Sequence, residues 1–345
     1  MVDPLDDLDN IRSIDISRTA EQMSQFADNL EVSAGRMVGA IKTPGSICLN
    51  GIGGSAMAAD VLFDYLHYNA KVPVTVNRNV SLPKWVTKDS LSIITSYSGN
   101  TQEALDALYE SVNAGCQICA ISSGGAILNI CRKEGIPFVE VPSGMQPRAA
   151  LGHTLGAASA ILQAAGVGAP ATEMKRAAMN SRSAILRMAT DSPTEQNPAK
   201  RLALQIHDRI PIIYAPRNIR SVAVRWQNQI NENSKMLSFS GEIPEMDHNQ
   251  LVGWLQGDKC NACRPVFLLP SLMDHTVEKM TMVSIEMFSE AGLSPMVVPL
   301  HGNTQVENLI SGIILGDHVS YYMAILKGAD PGPVPVIQEF KRRIA

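Results

Sequence analysis

Charge and aromatic side chains are both scarce in this chain. Asp, Glu, Lys and Arg make up 18% of its residues, and Phe, Trp and Tyr 5%. The formal net charge is −4, so no global basic field is available to recruit nucleic acid or an anionic membrane. An anionic ligand must therefore be met by a local arrangement of groups. The first twenty residues carry several aspartates and no apolar run behind a basic start, which is unlike a signal peptide. No segment reads as the roughly 20 consecutive apolar residues that span a bilayer, and the expected location is the cytoplasm. The seven histidines are scattered, which argues against a histidine-built metal centre. The six cysteines include two CxxC pairs, Cys116/Cys119 and Cys260/Cys263. Zinc ribbons usually set such pairs about 15–20 residues apart, and these lie much further apart. Cys116 and Cys119 also lead into a strand-like segment, where positions three apart point to opposite faces. Reduced thiols are the reading, with no metal.

What the chain does have is length. Its 345 residues exceed one ordinary core, and with 45% hydrophobic residues two globular domains are expected. Residues 1–16 read as a loose acidic lead-in. A Thr19-x-x-Gln22 capping box then opens a helix with Met23, Phe26 and Leu30 along one face. From residue 46 apolar runs alternate with polar turns and helix-like segments. "SICLN", "VPVTVN", "LSIITS", "ICAISS" and "PFVEVP" are candidate strands, spaced to leave room for crossover helices. After "GVGAPATE" the pattern resumes with "IPIIYAP", "NSKMLSFS", "RPVFLLP" and "SPMVVPL", and a long helix-like run over 304–327 follows. The expected fold is α/β: two domains, 1–165 and 166–345, each a parallel sheet flanked by helices.

Ligands of open parallel sheets sit beyond the carboxyl ends of the strands. There the first domain carries "NGIGGSA", with Gly53 and Gly54 allowing close backbone approach and Ser55 adding a hydroxyl. Such a loop opening a helix is an anion cradle. Gly51, Gly53 and Ala56 also satisfy G-x-G-x-x-A, the dinucleotide fingerprint. That reading expects an acidic residue about 20 positions on, where the chain has "VTVNRN" and Arg78, a possible partner for the 2′-phosphate of NADP. "TSYSGNT" favours the first reading. Ser96, Ser98 and Thr101 at one strand-to-helix turn suit a phosphate dianion, which offers acceptors and no donors. "SSGG" (122–125) adds a third small-residue turn, and Arg148 in "PSGMQPRAALGH" is a candidate contact to substrate oxygens.

Together "GIGGSAMAADVL", "TSYSGNTQEAL" and "QPRAALGH" resemble the sugar isomerase (SIS) fold. More narrowly, they resemble the bifunctional phosphoglucose/phosphomannose isomerase family. The second half resembles it too. "NQINENSKMLSFSGEIPEMDHNQLVGW" carries Glu232 and, sixteen residues later, His248 followed by Asn249. "HVSYYMAILKGADPGP" places Lys327 before Gly-Ala-Asp-Pro. The resemblance runs from about residue 45 to the C-terminal end.

The resemblance implies an aldose–ketose isomerase working without metal or redox cofactor. Gly54, Ser55, Ser96, Ser98 and Thr101 would hold the phosphate of a hexose 6-phosphate, with Gly53 in the same turn. Glu232 would move a proton between C1 and C2 through a cis-enediol. His248 would assist ring opening from the neighbouring subunit of a homodimer with shared sites. Lys327 would act near the ring, and Arg148 would stabilise the enediolate oxygen. Ser320, seven positions before Lys327 where many relatives have threonine, would leave room for the mannose product. Partners other than the sugar phosphate, such as nucleic acid or membrane, are not expected. A non-catalytic SIS sensor of sugar phosphates is the main alternative, and it would have no use for the Glu–His–Lys set.

Overall fold

The computed structural model describes residues 3–257 and 262–344, which leaves Cys260 outside the described residues. The chain forms two compact units, one of Gln25–Arg182 and one joining Met1–Ser24 to Ser183–Ala345.

The unit Gln25–Arg182 is built on five parallel strands: β1 (Ser46–Asn50), β2 (Val74–Asn77), β3 (Ser90–Thr95), β4 (Gln117–Ser122) and β5 (Phe138–Glu140). Their order is β2-β1-β3-β4-β5, with Leu49 beside Ile93 and Ile93 beside Cys119. Every residue of β3 is buried, as expected for a strand covered on both faces by crossover helices. The polar residues of these strands are satisfied within the sheet and its helices. Asn50 Nδ2 donates to Ser92 Oγ (2.9 Å), Asn77 Nδ2 donates to Asn50 Oδ1 (3.0 Å), and Ser92 and Ser111 share a hydroxyl bond of 2.8 Å. Helices Phe26–Ala34 and Leu151–Ala164 touch backbone to backbone at Gly156, where a Cβ would lie 2.6 Å from the Leu30 carbonyl oxygen. Cys119 is fully buried in β4, and burial pushes its thiol up to about 12; among the described residues no group of His, Cys, Asp and Glu is placed to hold a metal ion.

The other unit carries a four-stranded parallel sheet of order β7-β6-β8-β9: β6 (Ile210–Pro216), β7 (Phe239–Ile243), β8 (Cys263–Leu269) and β9 (Met296–Pro299). Its central helix is Gln305–Leu326. By length and composition this helix could cross a membrane, contrary to the expectation that no segment would. The most apolar window of it is 83% buried inside the protein, which accounts for its apolar character as core. It packs against helix Arg220–Asn233. Arg225 binds Asp317 through two bonds of 2.8 and 2.7 Å, both side chains buried. Trp226 donates Nε1 to the Gly312 carbonyl (2.8 Å), and its ring covers Gly316, where a Cβ would come within 2.2 Å.

Four local expectations are corrected. The lead-in read as loose over 1–16 is ordered in its described part, 3–16: Asp7 caps helix Leu8–Ile14, Leu5 is fully buried, and Asp6 receives the Nζ of the buried Lys200 at 3.0 Å. Thr19 is not the cap of its helix, because the Asp15 carboxylate takes the N–H groups of Thr19 (2.7 Å) and Ala20 (3.0 Å) instead. The helix expected to run on from there breaks into Thr19–Ser24 and Phe26–Ala34. The strand read at "NSKMLSFS" starts later, at Phe239, because residues 233–235 complete a helix and turn out of it through Lys235 at φ +52. The expected boundary near residue 165 falls just after helix Leu151–Ala164. The helix beyond it, Pro170–Arg187, bonds back to the first unit through Glu173 to Tyr65 and Arg182 to Asp28.

Each unit buries one histidine beside a bonded oxygen: His153 with Ser33 Oγ (2.9 Å) and His318 with the Ile314 carbonyl (2.8 Å). Burial lowers both below their ordinary value of 6.5, helped at His153 by the Arg36 charge and opposed at His318 by its hydrogen bond and Asp317. The unfolded chain therefore takes up these protons first. The stability from the neutral rings is complete above about pH 6.5 and is lost as pH falls toward the folded values. Melting temperature should be flat above pH 7 and fall toward pH 5. The fall should be shallower in His153→Asn, and an identical slope would show that His153 contributes nothing to it.

Candidate active site

In the first sheet the strand order reverses between β1 and β3, so the turns leaving those two strands flank the crevice where such sheets bind ligands. These are the turns that carry Gly53, Gly54 and Ser55 on one side and Ser96, Ser98 and Thr101 on the other. Ser55 is buried and its Oγ accepts the Tyr97 N–H at 3.2 Å, which ties the two turns together. Ser96 Oγ lies 2.8 Å from Thr101 Oγ1 and accepts the Gly99 N–H at 3.2 Å. Thr101 occupies the N-cap of helix Gln102–Asn113 without making a side-chain cap bond, because its hydroxyl turns to Ser96. The Ala104 N–H bonds to the Thr101 carbonyl (3.2 Å), and the Thr101 hydroxyl takes none of the first-turn N–H groups, at the end of a helix where an anion is favoured. Ser98 is exposed, and Gly53 stands exposed at φ +59.

Arg148 belongs to the same cluster. A Cβ on Gly54 would lie 3.0 Å from the Arg148 backbone nitrogen, so the absence of a side chain there lets the two loops meet. Arg148 is only 5% exposed. Its loop is held by Tyr97, whose hydroxyl donates to the Pro142 carbonyl (2.9 Å) and accepts the Met145 N–H (3.0 Å). Burial raises the Tyr97 phenol above its ordinary value, with the Met145 N–H opposing. Tyr97 therefore links the β1, β3 and β5 turns. In the sequence Tyr97 is one aromatic in a run of hydroxyls, and no spacing marks it. The "SSGG" turn, read as a third face toward ligand, acts as a buttress. Ser123 N–H and Oγ both donate to the Tyr97 carbonyl (2.9 and 2.7 Å), and a Cβ on Gly99, at φ +70, would overlap the Gly124 carbonyl. Arg78, considered for a nucleotide 2′-phosphate, pairs with the buried Asp60.

The remaining candidates lie in the other unit. Glu232 is half-buried in the last turn of helix Arg220–Asn233. Lys327 caps helix Gln305–Leu326, is exposed, and donates Nζ to the Lys235 carbonyl at 2.6 Å. Ser320 is fully buried between these helices. Its Oγ accepts Asn233 Nδ2 (2.9 Å) and donates to the Asp317 carbonyl (2.8 Å), and its own carbonyl accepts Ser234 Oγ (2.7 Å). Ser320 thus touches the residue beside Glu232. His248 is exposed at the end of the turn Glu245–His248. Its neighbour Asp247 points inward to Ser284 (2.6 Å); burial raises that carboxyl, with the Ser284 bond and His248 opposing. The structure therefore gathers Gly54, Ser55, Ser96, Thr101 and Arg148 in one unit and Glu232, Ser320 and Lys327 in the other.

The chemistry these groups offer is an anion cradle on one unit and, on the other, a carboxylate and an ammonium at the ends of two packed helices. Residues 195–344 match the model of the bacterial phospho-glucose isomerase C-terminal SIS domain. A bifunctional phosphoglucose/phosphomannose isomerase of Caldicellulosiruptor bescii is 32% identical over 302 residues, covering 87% of this chain and 89% of that protein. One from Aquifex aeolicus is 30% identical over 295 residues, covering 85% and 88%. A solved structure, a glucose-6-phosphate isomerase like protein from Thermus thermophilus, shares the fold with a TM-score of 0.66 at 20% identity over 98% of each chain. Identity at this level over nearly the whole length means that the chain is an isomerase and belongs to the bifunctional phosphoglucose/phosphomannose isomerase family.

Proposed function

We propose that the protein interconverts fructose 6-phosphate with glucose 6-phosphate and mannose 6-phosphate through a cis-enediol. In this reading two SIS-type domains divide the work. The observation that supports it most is the cradle at the first sheet's switch point, where Ser55, Ser96 and Thr101 converge beside a helix end left uncapped by its own threonine. A phosphate dianion matches such a set of donors. Holding the sugar by its phosphate leaves C1 and C2 free for proton transfer.

The proton chemistry balances without an added reagent. His248, supplied in this proposal by the partner of a homodimer, assists opening of the hexose ring. The Glu232 carboxylate takes a proton from C1 of the open ketose while the C2 carbonyl oxygen gains one from water, giving the cis-enediol. Glu232 then returns its proton to C2 as the O1 hydroxyl proton leaves to water, which makes the aldose and restores the proton that O2 gained. Arg148 and Lys327 offset the negative charge that develops on the enediolate oxygens. Return to one face of C2 gives glucose 6-phosphate and to the other mannose 6-phosphate. Ser320, buried behind Asn233, sets the room for that choice through Asn233.

Two outcomes are expected. Glu232→Gln should lower kcat for both aldose products by about 10²–10⁴-fold, the range for loss of a general base, with little change in KM; chromatography of the products from fructose 6-phosphate reads this directly. Full activity in that variant would sink the base assignment, and substrate binding with no turnover in the native protein would favour the sensor. Gly54→Val should push the Arg148 backbone away and weaken substrate binding by roughly 10–100-fold, corresponding to one or two lost charge-assisted bonds. Isothermal titration with fructose 6-phosphate checks it, and unchanged affinity would remove the β1 turn from the phosphate site.

A further inference from the structure

Glu232 and Lys327 leave the ends of two different helices, and one residue bonds to both ends. Lys235 follows the C-cap Ser234 of helix Arg220–Asn233 and adopts φ +52. Residues other than glycine enter this left-handed region at a cost, and they stay there only where their surroundings over-determine it. Here the surroundings are visible. The Lys235 ammonium donates to three backbone carbonyls, those of Glu232 (2.9 Å), Asn233 (3.1 Å) and Asp330 (2.8 Å). That uses all three of its N–H bonds. Two of the acceptors are the last carbonyls of the helix that carries Glu232, its negative end. The third belongs to the loop just beyond Lys327. The circuit closes through the main chain, since the Lys235 carbonyl accepts Lys327 Nζ at 2.6 Å. The Asp330 side chain is held in turn by Ser17 Oγ (2.9 Å) and the Gly332 N–H (3.0 Å).

We propose that Lys235 is a positioning residue for the isomerisation step, setting the separation of the Glu232 carboxylate from the Lys327 ammonium by tying both helix ends to one side chain. The proposal rests on the reading of Glu232 as the base. A lysine whose role was solubility would have no use for a strained backbone, three main-chain acceptors and a bonded carbonyl. Because the phosphate cradle is built from other residues, losing the Lys235 ammonium should disturb turnover and spare binding.

The test uses the full chain with fructose 6-phosphate, comparing the native protein with Lys235→Ala, Lys235→Gly, Lys235→Arg and Glu232→Gln. Lys235→Ala should lower kcat by about 10–100-fold, the effect of misplacing a reacting group by a fraction of an ångström to an ångström. KM and inhibition by inorganic phosphate should stay as in the native protein, while the melting temperature falls with the three lost bonds. Lys235→Gly, which frees the left-handed backbone but also lacks the ammonium, should lose as much, and Lys235→Arg should recover part of the loss. Full kcat in Lys235→Ala, with Glu232→Gln inactive, overturns the positioning role and leaves the base assignment standing. A loss of kcat matched by equally weaker phosphate inhibition also overturns it, in favour of a general structural role. If Lys235→Ala does not fold, Lys235→Arg against Lys235→Gly makes the same comparison, and equal activity in those two rejects the proposal. An active Glu232→Gln overturns the base reading, and the Lys235 proposal falls with it.

Discussion

The two-point ion pair of Arg225 with Asp317 lies buried where helix Arg220–Asn233 meets helix Gln305–Leu326, and these helices end at Glu232 and Lys327, the groups assigned to the proposed chemistry. A buried pair of this kind is a poor source of net stability, since desolvating both charges offsets much of their attraction. Its consequence is registry. Sliding either helix by one residue would strand a charge in the core, and leaving one partner alone costs about 3–5 kcal/mol. Trp226 over Gly316 reinforces the same alignment by shape. From Arg225 to Glu232 is close to two helical turns, so the face that locks the helix also sets where the carboxylate emerges. Asn233 to Ser320 repeats the lock near the helix end.

The cradle in the other unit follows a different logic. Its hydroxyls and glycines already bond and pack against one another, through Ser55 to Tyr97, Ser96 to Thr101, and Gly99 against Gly124. Turns held together before ligand arrives lose little conformational freedom on binding. Tyr97 extends this pre-assembly to the Arg148 loop by bonding at both the Pro142 carbonyl and the Met145 N–H.

Much of this was legible in the sequence, for identifiable reasons. Buried parallel strands are near-continuous apolar runs, so β1, β3, β4, β6, β8 and β9 stand out, and small-residue turns after them point to the crevice. The lead-in was misread because acidic residues usually mark solvated chain, and the partners of Asp6 and Asp15 are far along the sequence, at Lys200 and Tyr321. The start of β7 was misplaced because a lysine at positive φ carries no local signal of the kind a glycine would. Tyr97 and Lys235 were missed for a related reason. Each matters through main-chain partners brought near by folding, and composition does not reveal such partners.

The interrupted chain path of the second unit has a consequence for the order of events during synthesis. Residues 25–182 emerge as an unbroken stretch containing all five strands of their sheet, so that unit can close as soon as it leaves the ribosome. Residues 3–24 are made earlier but complete later. Asp6, Asp15 and Ser17 bond to Lys200, Tyr321 and Asp330, which appear only after an entire globular unit has been translated. The nascent amino-terminal segment must therefore wait, with its apolar side chains uncovered, while the intervening unit folds. Its apolar residues Leu5, Leu8, Ile11, Ile14, Ile16 and Met23 are interspersed with five aspartates, and a segment of like charge favours hydration over association during that interval.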